Sequence, residues 1–196
     1  MVAVAFLLRW RRFAASLCLA FFGITRPGEV LRANRHDLVL PMDLLLPENE
    51  ICYLRVGEPK PRRRGKGRTQ HATVKNPVVV AMLSAVFGEI RSDQMLYPIS
   101  PGSFWRRGDF ILKPLQIPVE LKLTPGSLRG GGAIEAYRAV IDLTKLCWLM
   151  RLKNLKEVAA DSFLVNLSTT ARERVRNFSA MFEPCLAGAT APRAPV

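Results

Sequence analysis

The chain of 196 residues is long enough to bury one substantial hydrophobic core, and 49% of its residues are hydrophobic, which excludes a disordered chain as the default interpretation. Its 29 lysines and arginines against 16 aspartates and glutamates give a formal net charge of +13. A surplus of this size in a folded domain points to a polyanionic partner, and to nucleic acid before a membrane surface.

The cysteines are spread through the sequence and include no Cys-x-x-Cys pair, and neither histidine lies near one of them. This spacing argues against a zinc site, so we expect no metal and no cofactor. Three of the cysteines lie inside apolar runs, which favours buried free thiols in a reducing compartment inside the cell. The four cysteines are Cys18, Cys52, Cys147 and Cys185.

The N-terminal stretch contains two apolar runs, Val2–Leu8 and Phe13–Ile24, which the basic sequence RWRR separates. Neither run reaches the ~20 apolar residues that a membrane-spanning helix needs. The basic cluster follows an apolar run instead of preceding it, which is unlike a signal peptide. We therefore predict a buried core helix over residues 2–22, and we expect no membrane partner.

The next elements are predicted to be one short helix followed by a small sheet. Pro27 stands near the first turn of the helical stretch RPGEVLRANR, where its missing N–H does no harm. The runs DLVL, ICYLRVG and RTQHATV each indicate a short strand. Because a loop rich in charge separates the last two runs, we expect a hairpin or small sheet over about residues 38–75.

The remainder of the chain is predicted to be helical. Asn76 is the expected N-cap of the helix NPVVVAMLSAVFGEI, and Pro114 is expected to end the next helix. Further helices are expected near residues 126–137, 141–150, 154–166 and 169–183. We therefore predict a fold that is mostly α with a small antiparallel β-sheet (α+β). It forms one domain over residues 1–185, followed by a small, proline-rich and disordered tail over residues 186–196.

Two arginines stand at predicted helix starts. Arg26 and Glu29 lie three residues apart in GITRPGEVL and share a helix face, which on its own indicates an ion pair of small energetic value. Arg129 lies just inside the predicted helix of LTPGSLRGGGA, where backbone N–H groups favour an anion. The three glycines that follow it indicate a close approach of the backbone to another helix or to a nucleic acid.

The loop predicted between the last two strands is densely basic. Six of the nine residues from Lys60 to Arg68 are lysine or arginine. We expect this loop to follow phosphates, which makes binding steeply dependent on salt. The alternatives are a solvated loop and a localisation signal. The candidate nucleic-acid-binding residues are Arg62, Arg63, Arg64, Lys66 and Arg68.

These segments, taken in order, resemble the catalytic domain of the tyrosine recombinases, the phage integrase family, and most of all its degenerate members derived from mobile elements. GITRPGEVL, a strand–lysine–strand hairpin and TPGSLRGGGA follow one another as the family's landmarks do. The resemblance covers about residues 5–165, and its specificity lies in the order and spacing of the motifs. It implies DNA recombination and integration as the family activity.

The resemblance also implies roles for individual residues. Arg26 and Arg129 correspond to the two arginines that hold the scissile DNA phosphate, and Glu29 to the acidic residue that orients the first of them. Lys60 corresponds to the lysine that protonates the leaving oxygen, with Arg62, Arg63 and Lys66 as rivals for that register. A guanidinium group donates two parallel hydrogen bonds to phosphate oxygens, and its positive charge stabilises the negative charge of a phosphoryl transition state.

The departures from the family pattern concern the groups that cut DNA. Gly126 stands where the family has a histidine, and the later His or Trp falls near Leu152, with Trp148 one turn upstream. The nucleophilic tyrosine would lie near Asp161, Ser162 or Phe163, where there is none. Without a nucleophile, the covalent step is lost. The chain also begins almost directly at this domain, so we expect the N-terminal DNA-clamping domain to be absent.

We therefore predict a relic of a mobile element that binds double-stranded DNA without cleaving it, in the nucleus or nucleoid. It takes no small-molecule substrate, and a homo-oligomer on DNA is compatible with the family. One alternative is a residually active strand transferase that uses Ser162 or a tyrosine from another protomer. The other is a basic RNA-binding or structural protein whose motif order is a coincidence.

Overall fold

The computed structural model describes residues 1–44, 50–56, 70–115, 123–139 and 143–151. This part of the chain is mostly helical with a small three-stranded antiparallel sheet, which confirms the predicted α+β class. Its α-helices are α1 (Val2–Leu7), α2 (Arg11–Phe22), α3 (Pro27–Arg32), α4 (Pro77–Phe87), α5 (Pro101–Leu112), α6 (Ser127–Arg138) and α7 (Leu143–Leu149). Its strands are β1 (Leu38–Val39), β2 (Cys52–Val56) and β3 (Gln70–Val74).

The predicted single helix over residues 2–22 is wrong, because the chain turns between α1 and α2. Arg9 adopts a left-handed backbone conformation with φ of 59°. The backbone N–H of Trp10 donates to the carbonyl of Ala5 at 2.8 Å, and that of Arg9 donates to Phe6 at 2.9 Å. These two bonds form the usual left-handed termination of a helix, here made without glycine.

Helix α2 is the central element of the fold. All of its residues from Phe13 to Ala20 are buried, and it packs against α1, α3, α4 and α6. At its N-terminal end the ring of Phe13 lies 4.8 Å from that of Phe104 and 6.3 Å from that of Tyr97. A helix that is buried on all sides carries an apolar sequence without a clear polar face, which explains the long apolar run.

The sheet has the order β1–β2–β3, and both pairs are antiparallel. Leu54, at the centre of β2, pairs with Leu38 on one side and Ala72 on the other. Burial alternates along β2, so Leu54 faces the core while the neighbouring Arg55 is exposed. This period of two is typical of a strand with one buried face. The basic loop falls between β2 and β3, in residues that the structure does not describe.

A side-chain cap begins the first helix after the sheet, and the next helix ends close to a proline. Asn76 is the N-cap of α4, as predicted, and its side-chain oxygen accepts the Val79 backbone N–H at 3.1 Å. Helix α5 ends at Leu112, two residues before Pro114, and continues as one turn of 3₁₀ helix. Within the described residues, no helix is both long enough and apolar enough to cross a membrane.

The glycines after Arg129 allow α6 to cross α2 closely. A Cβ atom built on Gly132 would lie 1.9 Å from the carbonyl oxygen of Phe21, and one on Gly131 would lie 3.0 Å from the Phe21 ring. Of the two approaches expected from the sequence, the neighbouring helix therefore accounts for these two glycines. The crossing fixes the start of α6, and with it Arg129, beside the end of α2.

Candidate functional site

The candidate site is built on the turn that joins α2 to α3. Ile24 has a left-handed backbone with φ of 50°, which costs a β-branched residue about 1–2 kcal/mol. The turn is held by Thr25, whose backbone N–H donates to Ala20 at 3.1 Å and whose hydroxyl donates to Leu19 at 3.0 Å. The chain therefore leaves α2 in a fixed direction, and Arg26 becomes the N-cap residue of α3.

Arg26 and Glu29 form the predicted ion pair at the start of α3. The Arg26 Nη1 atom lies 3.3 Å from Glu29 Oε1, and the Arg26 backbone N–H donates to Oε2 at 2.9 Å. The two side chains differ in exposure, 39% for Arg26 and 4% for Glu29. The carboxylate is thus buried, while the guanidinium of Arg26 reaches solvent.

Arg151, which the sequence analysis missed, is a second and closer partner of Glu29. Its Nη2 atom donates to Glu29 Oε2 at 2.6 Å and to the carbonyl of Ile24 at 3.3 Å. Only 5% of its side chain is exposed. Arg151 adjoins Leu152, near which the family resemblance placed a His or Trp, and that position was the available signal; Lys153 and Lys156 follow closely, so basic character alone did not single out Arg151.

Arg151 is buried, with the negative Glu29 in contact and the positive Arg26 nearby. Burial lowers the pKa of its guanidinium from the ordinary value; Glu29 raises that pKa and Arg26 lowers it. The Nε and Nη1 atoms of Arg151 are buried and have no hydrogen-bond partner among the described residues. The Glu29 carboxylate is therefore the main source of compensation for this buried charge that the described residues provide.

Arg129 joins the same cluster from α6. It lies in the first turn of that helix, is 9% exposed, and its Nη2 atom donates to the carbonyl of Met150, the residue before Arg151. Contacts thus run from Arg26 through Glu29 to Arg151, and Arg129 joins them through the carbonyl of Met150, the chain neighbour of Arg151. We call the four charged residues the arginine cluster, and their net formal charge is +2.

The other predicted site residues lie outside the described part of the chain. They are Lys60, Arg62, Arg63, Arg64, Lys66 and Arg68 in the basic loop, and Asp161, Ser162 and Phe163 in the segment expected to carry the nucleophile. The last two predicted helices and the tail also fall there.

The three tyrosines of the chain lie in three different elements or segments of the fold. Tyr97 is fully buried, and its hydroxyl accepts a hydrogen bond from Arg107 at 3.3 Å; burial also raises the pKa of this hydroxyl. Tyr53 lies within β2 and is paired with Thr73. Tyr137 is exposed on α6, about two turns or ~12 Å along the helix from Arg129.

A second ionic cluster packs the sheet against α4. The buried Arg35 donates from Nε to the carbonyl of Phe87 at 2.9 Å, and from Nη2 to Asp43 at 2.8 Å. Burial alone would raise the pKa of Asp43, but hydrogen bonds from Arg35 and from the Leu40 N–H outweigh it, so that pKa is lowered. Every nitrogen of this guanidinium is used within the fold, which indicates a structural role.

No group of three or more His, Cys, Asp or Glu side chains that could hold a metal ion occurs in the described segments. Comparison of the chain with protein-family models, with curated proteins and with solved structures found no match. The arginine cluster is therefore interpreted from its own geometry and from the motifs of the sequence.

Proposed function

We propose that the chain is a tyrosine-recombinase-like catalytic domain that binds the phosphates of double-stranded DNA without cutting the strand. One observation carries the proposal. Arg26, Glu29 and Arg129 were selected from two separate sequence motifs, and in the structure the segment Met150–Arg151 connects them. Arg151 pairs with Glu29, the partner of Arg26, and Arg129 donates to the Met150 carbonyl.

The chemistry of the cluster suits a phosphodiester. Arg26 has a guanidinium that is 39% exposed and held at the start of α3, so a phosphate reaches it from solvent. A guanidinium is always charged and binds phosphate through two parallel hydrogen bonds. The net charge of the cluster, and that of the whole chain, adds long-range attraction to a polyanion.

The topology of the sheet supports the role proposed for the basic loop. Strands β2 and β3 are antiparallel neighbours, with Val56 paired to Gln70. The basic loop connects these two paired strands in the sequence, which is the order of elements on which the family resemblance rests. Under this proposal, Lys60 or a neighbouring basic residue of the loop contacts the DNA backbone.

The positions of the tyrosines support the proposal that the domain does not cut the strand. Tyr97 is buried against Arg107, Tyr53 is part of the sheet, and Tyr137 lies about 12 Å along α6 from Arg129. A nucleophile must reach the phosphorus held by the arginines. None of these three positions supplies it, so DNA binding without chemistry is the activity that we propose.

Binding is tested by fluorescence anisotropy with a labelled duplex of arbitrary sequence across a salt series. We expect wild type to lose affinity steeply with salt, and Arg26→Ala to weaken binding about tenfold at low salt. Arg91→Ala is the matched control, since Arg91 is 74% exposed and its ion-pair partner, Asp93, does not belong to the cluster. Equal affinities for the two variants would refute a phosphate site at Arg26.

The lack of chemistry is tested with a nicked duplex that traps covalent protein–DNA adducts. We expect no adduct after denaturing electrophoresis. An adduct that is lost in Ser162→Ala, or that needs a second protomer, would replace this proposal with the residually active strand transferase.

A further inference from the structure

We propose that Arg151 is a positioning residue of the arginine cluster: it neutralises the buried carboxylate of Glu29 and so leaves Arg26 available to bind phosphate. The DNA part of this inference rests on the proposed function. The assignment of Arg151 as the counter-ion of Glu29 rests on the structure alone.

The distances show which arginine is the principal partner of Glu29. Arg151 Nη2 lies 2.6 Å from Oε2, whereas Arg26 Nη1 lies 3.3 Å from Oε1. The backbone N–H of Arg26 also donates to Oε2, at 2.9 Å. Glu29 is therefore held by Arg151 and by the backbone of the helix start, and its contact with the Arg26 side chain is the longest of the three.

The two ion pairs of Glu29 also differ in burial, which favours the pair with Arg151. The side chains of Glu29 and Arg151 are 4% and 5% exposed, so water screens their attraction weakly. Arg26 is 39% exposed, and its contact with Glu29 is screened more strongly. A buried carboxylate without a counter-ion is costly, and removing one partner of such a pair is far more disruptive than losing a surface ion pair.

The consequence for Arg26 is electrostatic. With Arg151 in place, the charge of Glu29 is matched inside the protein, and the charge of Arg26 faces the solvent. Without Arg151, the uncompensated carboxylate would draw Arg26 toward itself and repel an incoming phosphate. Arg151 thereby strengthens the binding of phosphate by Arg26 without contacting the phosphate itself.

The same residue also connects distant segments of the chain. Arg151 has a left-handed backbone, φ 56°, at the end of α7, and its Nη2 atom also donates to the carbonyl of Ile24. Ile24 lies two residues before Arg26, in the turn that directs α3. The position of the C-terminal end of α7 is thus coupled to the position of Arg26.

The test on DNA uses Arg151→Gln, Glu29→Gln and the double variant Glu29→Gln/Arg151→Gln, with the exposed Arg138→Gln on α6 as the control for the loss of one positive charge. We expect Arg151→Gln to lower duplex affinity about tenfold relative to this control. The double variant should recover most of that loss, because it removes the carboxylate as well. Equal affinities of Arg151→Gln and Arg138→Gln, or no recovery in the double variant, would overturn the role in phosphate binding.

The second test does not depend on DNA. Thermal unfolding is measured for two double-mutant cycles, Glu29→Gln with Arg151→Gln and Glu29→Gln with Arg26→Gln. We expect the coupling between Glu29 and Arg151, expressed as a shift in Tm, to be clearly the larger. A Glu29–Arg26 coupling of equal or greater size would overturn the counter-ion assignment. If the chain binds no DNA and the Arg151 coupling is larger, the assignment is supported and the proposed function is refuted.

Discussion

At the scale of single residues, the clearest feature is that one buried carboxylate organises two arginines of different exposure. Glu29 lies between Arg151, which is enclosed by the fold, and Arg26, which reaches solvent. A surface ion pair at the same sequence spacing would contribute little. Burial therefore distinguishes the Glu29 pairs from an ordinary ion pair at a helix start, and under the proposed function it leaves Arg26 available to bind a phosphate.

The same balance of burial and charge predicts the pH dependence of stability at Asp43. Its folded-state pKa is lowered below 3.8, so the carboxylate stabilises the fold above about that pH and loses this contribution as the pH falls through the folded-state pKa. We expect Asp43→Asn to lower Tm at pH 7, with a difference from wild type that shrinks below pH 4. Tm measured from pH 3 to pH 7 tests this, with Asp93→Asn, 69% exposed, as the neutral control. A difference that is independent of pH would contradict it.

Two buried thiols give a second prediction at this scale. Burial raises the pKa of both Cys18 and Cys52 to about 12, which confirms the expectation of buried free thiols for these two residues. Since the thiolate is the reactive form, we expect neither to be alkylated by iodoacetamide at pH 8 in the folded protein. Both should react after denaturation, as peptide mass spectrometry will show. Alkylation of either residue in the native state would contradict the burial described above.

At the scale of elements, the features that depend on neighbouring residues could be predicted from the sequence. The strand β2 and the side-chain cap at Asn76 both depend on a few adjacent residues, and both were predicted. The turn at Arg9 was not, because a left-handed helix end without glycine has no simple sequence signal. Arg151 was missed for a different reason: its partner Glu29 is 122 residues away in the sequence. Only the packing of α6 and α7 beside the start of α3 brings them together.

The crossing of α2 and α6 gives the prediction that belongs to this scale. Gly132→Ala would place a methyl group 1.9 Å from the Phe21 carbonyl oxygen, so the two helices must separate. Overpacking of this kind costs about 1–3 kcal/mol, and we expect a fall in Tm of about 5 °C. Gly102→Ala is the matched control, because its Cβ would lie 4.0 Å from the nearest heavy atom, Ser100 Oγ. An unchanged Tm for Gly132→Ala would contradict the close crossing.

At the scale of the whole molecule, the proposed function assigns the net charge of +13 and the arginine cluster to the same partner, double-stranded DNA. Charge alone gives non-specific affinity that salt removes, and any basic surface supplies it. What distinguishes this chain is that arginines from the starts of α3 and α6 share one set of contacts. The coarse fold class could be predicted from the sequence, whereas the connection of these two helix starts depends on tertiary packing.

The most direct test of this account compares duplex DNA binding by two double variants, Arg26→Ala/Arg129→Ala and the surface control Arg91→Ala/Arg106→Ala. Both remove two positive charges, so ordinary phosphate contacts predict similar losses. Circular dichroism and Tm establish that each variant is folded, and Arg129→Gln, which also removes the charge, serves in place of Arg129→Ala if the latter unfolds. The account predicts that the cluster variant loses about 100-fold in affinity and the control about tenfold or less. Equal losses would show that the arginine cluster does not bind DNA and that only the general positive charge of the chain attracts it.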